Sequence, residues 1–199
     1  MTAANRAECF AFAKVCEGGY DTNPKDRGNW TSGVIGKGEL KGTNHGIAAH
    51  AFPYLDIKNL TLDSAKSIYL DKYWVPVAGD QQPEGIDLVA FDIALSSGPS
   101  RALAIEGAAL DTSNKSPLSL AHMAAKVGDK AVIVKDMCRR RASFYRGLSK
   151  FETFGRGWLR RNAACEALGV TMALRATKAT PDKIKERLEK EGGAARGSA

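Results

Sequence analysis

Two carboxylates stand nine residues apart in a stretch of glycine and turn-forming residues, Glu17-Gly18-Gly19-Tyr20 and then Pro24-Lys25-Asp26-Arg27-Gly28-Asn29-Trp30-Thr31. Acid-catalysed cleavage of a glycosidic bond uses such a pair. One carboxyl stays protonated to donate to the leaving oxygen, and the other stays ionised to act on water or on the developing cation. The element that must position Glu17 is the segment before it. Residues 3–16 contain no proline or glycine, and Cys9, Phe12 and Cys16 recur at helical spacing beside Val15. Thr2 is a candidate N-cap and Gly18-Gly19 a C-terminal stop. Glu17 then falls in the last turn, at the negative end of the helix dipole, where ionisation is disfavoured. That is the direction a general acid needs. A surface glutamate ahead of a glycine stop is the plain alternative.

Glu17-Gly18-Gly19-Tyr20 followed by Pro24-Lys25-Asp26-Arg27-Gly28 resembles the signature of glycoside hydrolase family 108, the phage-type N-acetylmuramidases. Three later stretches are similar in order and spacing. Leu60-Thr61-Leu62-Asp63-Ser64-Ala65-Lys66-Ser67-Ile68-Tyr69 with Tyr73-Trp74 resembles a family helix ending in Tyr-Trp. Phe91-Asp92-Ile93-Ala94-Leu95-Ser96-Ser97-Gly98 resembles its buried helix, with Ser96 where asparagine is frequent. Phe144-Tyr145-Arg146 and the run from Phe151 to Arg161 resemble its C-terminal region, a predicted peptidoglycan-binding type. The resemblance spans roughly residues 8–165. It departs after Thr31, where residues 32–41 read as an inserted loop before Gly42-Thr43-Asn44-His45-Gly46-Ile47. Asp111-Thr112-Ser113-Asn114 also matches a later family element poorly.

The resemblance implies an endolysin-type muramidase that hydrolyses the β-1,4 bond between N-acetylmuramic acid and N-acetylglucosamine. Glu17 would be the general acid and Asp26 the second carboxylate. Thr43 would orient water, with Thr31 as its rival for that position. Tyr20, Trp30, Thr31, His45, Tyr73 and Trp74 are candidate substrate contacts, although Tyr73 and Trp74 equally suit a core, and His45 a plain loop. No metal or organic cofactor is implied. A lytic transglycosylase on the same bond and a non-catalytic wall-binding protein are the alternatives.

Composition and punctuation frame this expectation. Gly28, Gly33, Gly36, Gly38, Gly42 and Gly46 favour a small β-hairpin and loop region near residues 24–47. The rest reads as helical, giving a mainly α, α+β lysozyme-like fold. Thr61 caps a helix to about Tyr73, and another runs over residues 84–97. The latter carries Ile86, Leu88, Val89, Phe91, Ile93 and Leu95 with almost no polar face, so it is the expected buried central helix. Asp92 within it needs a partner, a backbone group or helix terminus being the main expectation and orientation of the active site the other. Further helices are expected over residues 99–110, 117–128, 129–148 and 155–168, and a last one starts at Thr180-Pro181. The expected regions are a catalytic region (1–98), a helical region packed on it (99–170), and an exposed helix with a flexible tail (171–199).

The 199 residues carry a net charge of +7. Much of it lies late, at Arg139, Arg140, Arg141, Arg146, Lys150, Arg156, Arg160 and Arg161. Such a face is solvated or ion-paired, or it is drawn to anionic cell-envelope components. Nucleic acid is disfavoured as a partner, since no recognised motif accompanies the arginines. Cys9 and Cys16 lie about 10 Å apart along one helix, too far to bridge. All four cysteines are expected to be small buried hydrophobes, and His45, His50 and His122 show no metal-ligand pattern. No apolar run is long enough to span a bilayer. Arg6, Glu8 and Lys14 interrupt any secretory pattern. The expectation is therefore cytoplasmic synthesis without a signal peptide, with release to the wall by a holin or another export route.

Overall fold

Capping side chains, glycines and prolines divide the chain into a hairpin and a series of helices. In order these are α1 (Ala3–Cys16), β1 (Thr43–Asn44), β2 (Ile47–Ala48), α2 (Leu62–Tyr69), α3 (Ile86–Ser97), α4 (Pro99–Ala109), α5 (Pro117–Lys126), α6 (Lys130–Arg146) and α7 (Phe151–Ala194). The computed structural model describes the backbone of residues 3–16 and 19–194, and the side chains of residues 5–13 and 19–176. Thr2, Glu17 and Gly18 lie outside the described residues, as do the side chains of Val15 and Cys16. Thr61 and Asp129 cap α2 and α6, accepting from the backbone N–H groups of Ser64 and Ala131. Pro99 and Pro117 occupy first turns, where a missing N–H costs nothing.

Two helices differ from expectation. α2 ends at Tyr69 and passes into a wider π turn over Leu70–Trp74, then a 3₁₀ turn over Val75–Val77. Pro76 has no N–H to continue the helical ladder, which accounts for the change of pitch. At the other end of the chain a single helix replaces the two expected, starting at Phe151 rather than Gly155. Between residues 166 and 179 only Gly169 interrupts a run of mostly good helix formers, so no stop signal separates the two stretches. The architecture is a mainly helical body with one small antiparallel hairpin, as expected. No described helix is long and apolar enough to cross a membrane.

α3 is the centre of the body. Every residue from Ile86 to Ala94 is buried, and a helix apolar all round must be surrounded. On one side Phe91 meets Phe10 of α1 and Trp74, with ring centroids 5.1 and 5.5 Å away. Asn5 of α1 donates to the Asp87 carboxylate near the start of α3. On the other side α7 approaches closely at Gly85. A Cβ there would lie 2.2 Å from the Gly169 carbonyl oxygen, and φ is +87°. Only glycine allows that contact. Cys9, Cys138 and Cys165 are free and buried, and burial pushes the Cys9 thiol pKa up.

Asp92 projects from α3 without any exposure, and its partners are neither backbone nor a helix end. Arg141 of α6 donates to Oδ2 at 2.6 Å, and Arg161 of α7 donates to Oδ1 at 2.8 Å. Arg141 also donates to the Tyr145 hydroxyl at 2.7 Å and to Ser96 Oγ at 3.1 Å. Burial alone would raise the Asp92 pKa, but the charges of Arg141 and then Arg161 outweigh it and hold the carboxyl below its usual range. The basic run is thus partly structural: Arg139 and Arg140 pair with Asp136 as well. Asp92→Asn would leave Arg141 buried without its counter-charge. Urea titration should show a loss of about 3–5 kcal/mol.

Glu106 on α4 is fully buried, and among the described residues no cation pairs with it. Gln82 donates to its Oε1 at 2.8 Å, while Glu106 Oε2 and Gln82 Oε1 have no partner. Burial pushes its pKa up to about 7, against a smaller lowering by Gln82. A protonated Glu106 can donate to Gln82 Oε1 and satisfy both atoms. Its folded pKa lies above the unfolded value of 4.5, so the stability it contributes is complete below pH 4.5 and is lost as pH rises through 7. Glu106→Gln presents an amide N–H at that position at every pH. Thermal melts should find the variant about 1–3 kcal/mol more stable than wild type at pH 8, with the gap closing near pH 5.

Candidate active site

The loop after α1 is held by a ladder of short side-chain turns. Asp21 pairs with Thr43 through both backbone bonds, each 2.8 Å. Gly42 permits this approach: its φ is +85°, and a Cβ there would lie 2.4 Å from the Asp21 carbonyl oxygen. The Asp21 side chain then accepts from the Asn23 N–H, and the Asn23 side chain accepts from the Lys25 N–H. Asp26 accepts from the Gly28 N–H at 2.8 Å and caps a 3₁₀ turn over Arg27–Asn29. Aspartate and asparagine suit these positions because their short side chains reach the backbone two residues on. Asp26 is exposed at the edge of this turn.

Asn29 is the hub, fully buried at the end of the turn that Asp26 caps. Its Nδ2 donates to Asp21 Oδ2 at 3.0 Å and to the Asn23 carbonyl at 3.1 Å. Both partners only accept, so the amide orientation is fixed and Oδ1 faces Thr43. Thr43 Oγ1 donates to Asn29 Oδ1 at 2.6 Å. The single hydroxyl hydrogen of Thr43 is therefore committed, and toward a water this oxygen can only accept. The Asn29 carbonyl also accepts from the Lys41 and Gly42 N–H groups, which pins the end of the inserted loop. Neither Asn29 nor Asp21 stands out in the sequence as a site residue. The turn preference of asparagine is legible there, but its burial against a threonine fourteen residues away is not.

Thr31 has a different task. Its backbone N–H donates to the Glu39 carbonyl, and its hydroxyl accepts from the Glu39 N–H at 2.9 Å. With the Trp30–Leu40 bridge, this closes the neck of the loop over residues 32–41. The strands beyond it, β1 and β2, turn at His45-Gly46, both with positive φ, as a tight two-residue hairpin requires. His45 is thus a turn residue whose carbonyl accepts from the Tyr69 hydroxyl.

The candidate aromatic contacts separate into distinct places. Tyr20 is exposed and lines a shallow hollow with Tyr54, Lys41 and Lys58. Trp30 is half-buried and donates to the Pro24 carbonyl at 2.9 Å, bracing the Asp26 loop. Tyr73 is half-buried against Tyr69. Trp74 is 2% exposed, donates to Asp80, and packs on Phe10 and Phe91. As a substrate contact it is corrected to a core residue, because the π turn directs its ring inward. Two aromatics from the far end of the chain take a place near the site instead. Phe154 and Trp158 of α7 face Asn23, Asp26 and Ile35 across a cleft of about 450 Å³, with Lys150 beside them. Phe154 is exposed, and Trp158 is half-buried and stacked on it with ring centroids 6.0 Å apart; an aromatic pair opposite a carboxylate suits a sugar chain. Among the described residues no group of three or more His, Cys, Asp or Glu side chains could hold a metal.

Residues 10–98 match the family model described as glycosyl hydrolase 108. These residues are similar to that family and make up less than half of the chain. The segment contains Glu17, Asp26, Asn29 and Thr43, and it ends at Gly98, which closes α3. The family that this segment matches is one of glycosyl hydrolases. The structure of SagA from Brucella abortus is similar to this one, with a TM-score of 0.72 at 27% identity, covering 86% of this chain and 97% of that chain. The shared fold thus extends well past the glycosyl hydrolase 108 segment into the later helices. No curated protein matches the chain.

The two threonines should respond differently to loss of the hydroxyl. Thr43→Val keeps the volume but removes the acceptor, and kcat for glycan cleavage should fall about 10²-fold. Thr43→Ser should retain most of the rate. Thr31→Val should cost only loop stability, about 1 kcal/mol in urea titration, with kcat close to wild type.

Proposed function

We propose that the protein is a peptidoglycan hydrolase of the N-acetylmuramidase type, cutting the β-1,4 bond between N-acetylmuramic acid and N-acetylglucosamine. The observation that carries this reading is the hydrogen-bonded unit of Asp21, Asn29 and Thr43 in the loop that carries Asp26, inside a segment that matches glycosyl hydrolase 108. Glu17 falls in the same segment, between the end of α1 and this unit. Its carboxyl donates a proton to the glycosidic oxygen, so that the C–O bond breaks and the leaving sugar departs as a neutral alcohol. A water donates one hydrogen bond to Thr43 Oγ1, which keeps an oxygen lone pair free to attack the anomeric carbon. Asp26 supplies the second carboxylate, either holding that water and taking the proton it sheds on attack, or offsetting the positive charge that develops on the ring while that proton passes to the Glu17 carboxylate. The aromatic wall of Phe154 and Trp158 supports a glycan lying across the cleft. Exposed cations of the later helices, such as Arg146 and Arg156, favour approach to an anionic cell wall. Arrival there from the cytoplasm requires a holin or another export route.

Mass spectrometry of muropeptides released from purified sacculi tests the reading directly. Wild type should release products ending in a reducing N-acetylmuramic acid. Glu17→Gln should lower kcat by about 10²–10⁴-fold, as loss of a general acid does. Anhydro-muramic ends would show a transglycosylase instead. A Glu17→Gln variant as fast as wild type would remove Glu17 from the role of acid.

A further inference from the structure

A second and larger cavity, of about 870 Å³, lies beside the cleft at Asp26, and Trp158 lines both. It opens where the end of α3, the start of α4, the end of α6 and the first turns of α7 converge. Arg101, Phe144, Tyr145, Arg160 and Arg161 are among its walls, and no acidic side chain lines it. Arg161 is held by Asp92 from below. Arg101 and Arg160 are exposed and form no ion pair among the described residues. The Arg101 guanidinium lies 4.3 Å above the centroid of the Phe144 ring. An arginine laid on an aromatic face is partly ordered in advance of a ligand, and its fork matches a carboxylate.

The chemistry of the walls therefore asks for an anion, while the shared Trp158 says what that anion is attached to. A neutral sugar ring makes poor use of two guanidinium groups. Peptidoglycan carries on each muramic acid a short peptide stem bearing carboxylates, and that stem branches from the glycan next to the bond being cut. We propose that this cavity is a subsite for the carboxylates of the peptide stem, received by Arg101 and Arg160 while Trp158 divides it from the glycan cleft. The inference rests on the peptidoglycan reading above. It makes the later helices part of substrate selection. Stem-bearing glycan is bound more tightly than bare glycan, and the difference resides in two arginines remote in sequence from the acids.

Two measurements on the full chain test it. In the first, cleavage kinetics are compared on sacculi with stems intact and on glycan stripped of stems by an amidase. The double variant Arg101→Gln/Arg160→Gln should raise KM about tenfold on intact material with kcat unchanged, and should match wild type on stripped glycan. Equal behaviour of variant and wild type on both substrates, or equal loss on both, overturns the proposal. In the second, calorimetry measures binding of a free stem peptide with its carboxylates intact and of the same peptide with them amidated. Wild type should bind only the former, and the double variant neither. Equal binding of both peptides by wild type overturns the subsite. This measurement needs no turnover, so a protein that binds the carboxylate peptide but releases no muropeptide would sink the muramidase reading and leave the subsite standing.

Discussion

One carboxylate in the middle of the protein holds its two halves together. Asp92 lies on the helix that ends the glycosyl hydrolase 108 segment, and both guanidinium groups it binds come from helices beyond that segment. A charge in this position is tolerable only when its hydrogen-bonding capacity is filled, because water cannot reach it. The two arginines fill it from different directions, so the positions of α6 and α7 over α3 are set by direction as well as by apolar contact. Arg161 stands one turn after Trp158 on α7. The ion pair that anchors that turn therefore also fixes the aromatic wall of the cleft.

The loop that carries Asp26 follows the same logic with neutral groups. Asn29 has no exposure, and each side of its amide meets a complementary partner. A buried polar cluster of this kind is specific when complete and costly when any member is missing. Completeness gives the Thr43 hydroxyl a fixed sense of donation, although that residue lies in a different part of the loop from the acids. Stability and chemical polarity are two results of one arrangement.

Much of this architecture is legible in the amino-acid sequence. The all-round apolar pattern of α3 requires burial, and Thr61, Pro99, Pro117 and Asp129 announce the helices they start. The need of Asp92 for a partner is legible too. Its partners are not, because they lie 49 and 69 residues away and sequence periodicity describes only local neighbours. Tyr73 and Trp74 read alike as aromatics at a helix end, and only the change of pitch before Pro76 separates a half-buried ring from a core ring. The choice between Thr31 and Thr43 depends on which hydroxyl the loop neck consumes, a question of hydrogen-bond partners rather than of spacing. Phe154 and Trp158 are visible as part of a family-like run, yet their place opposite Asp26 depends on the packing of α7.

The neck of the loop over residues 32–41 separates two kinds of change. Thr31 and Glu39, with the Trp30–Leu40 bridge, close the loop on itself, and Lys41 and Gly42 are tied independently to Asn29. Residues beyond the neck can be added or removed with a closing cost that grows only slowly with length. Yet Ile35, near the tip, forms part of the wall of the cleft at Asp26. Evolution can therefore remodel the rim of the cleft through loop length alone, leaving the hydrogen bonds that orient Thr43 untouched.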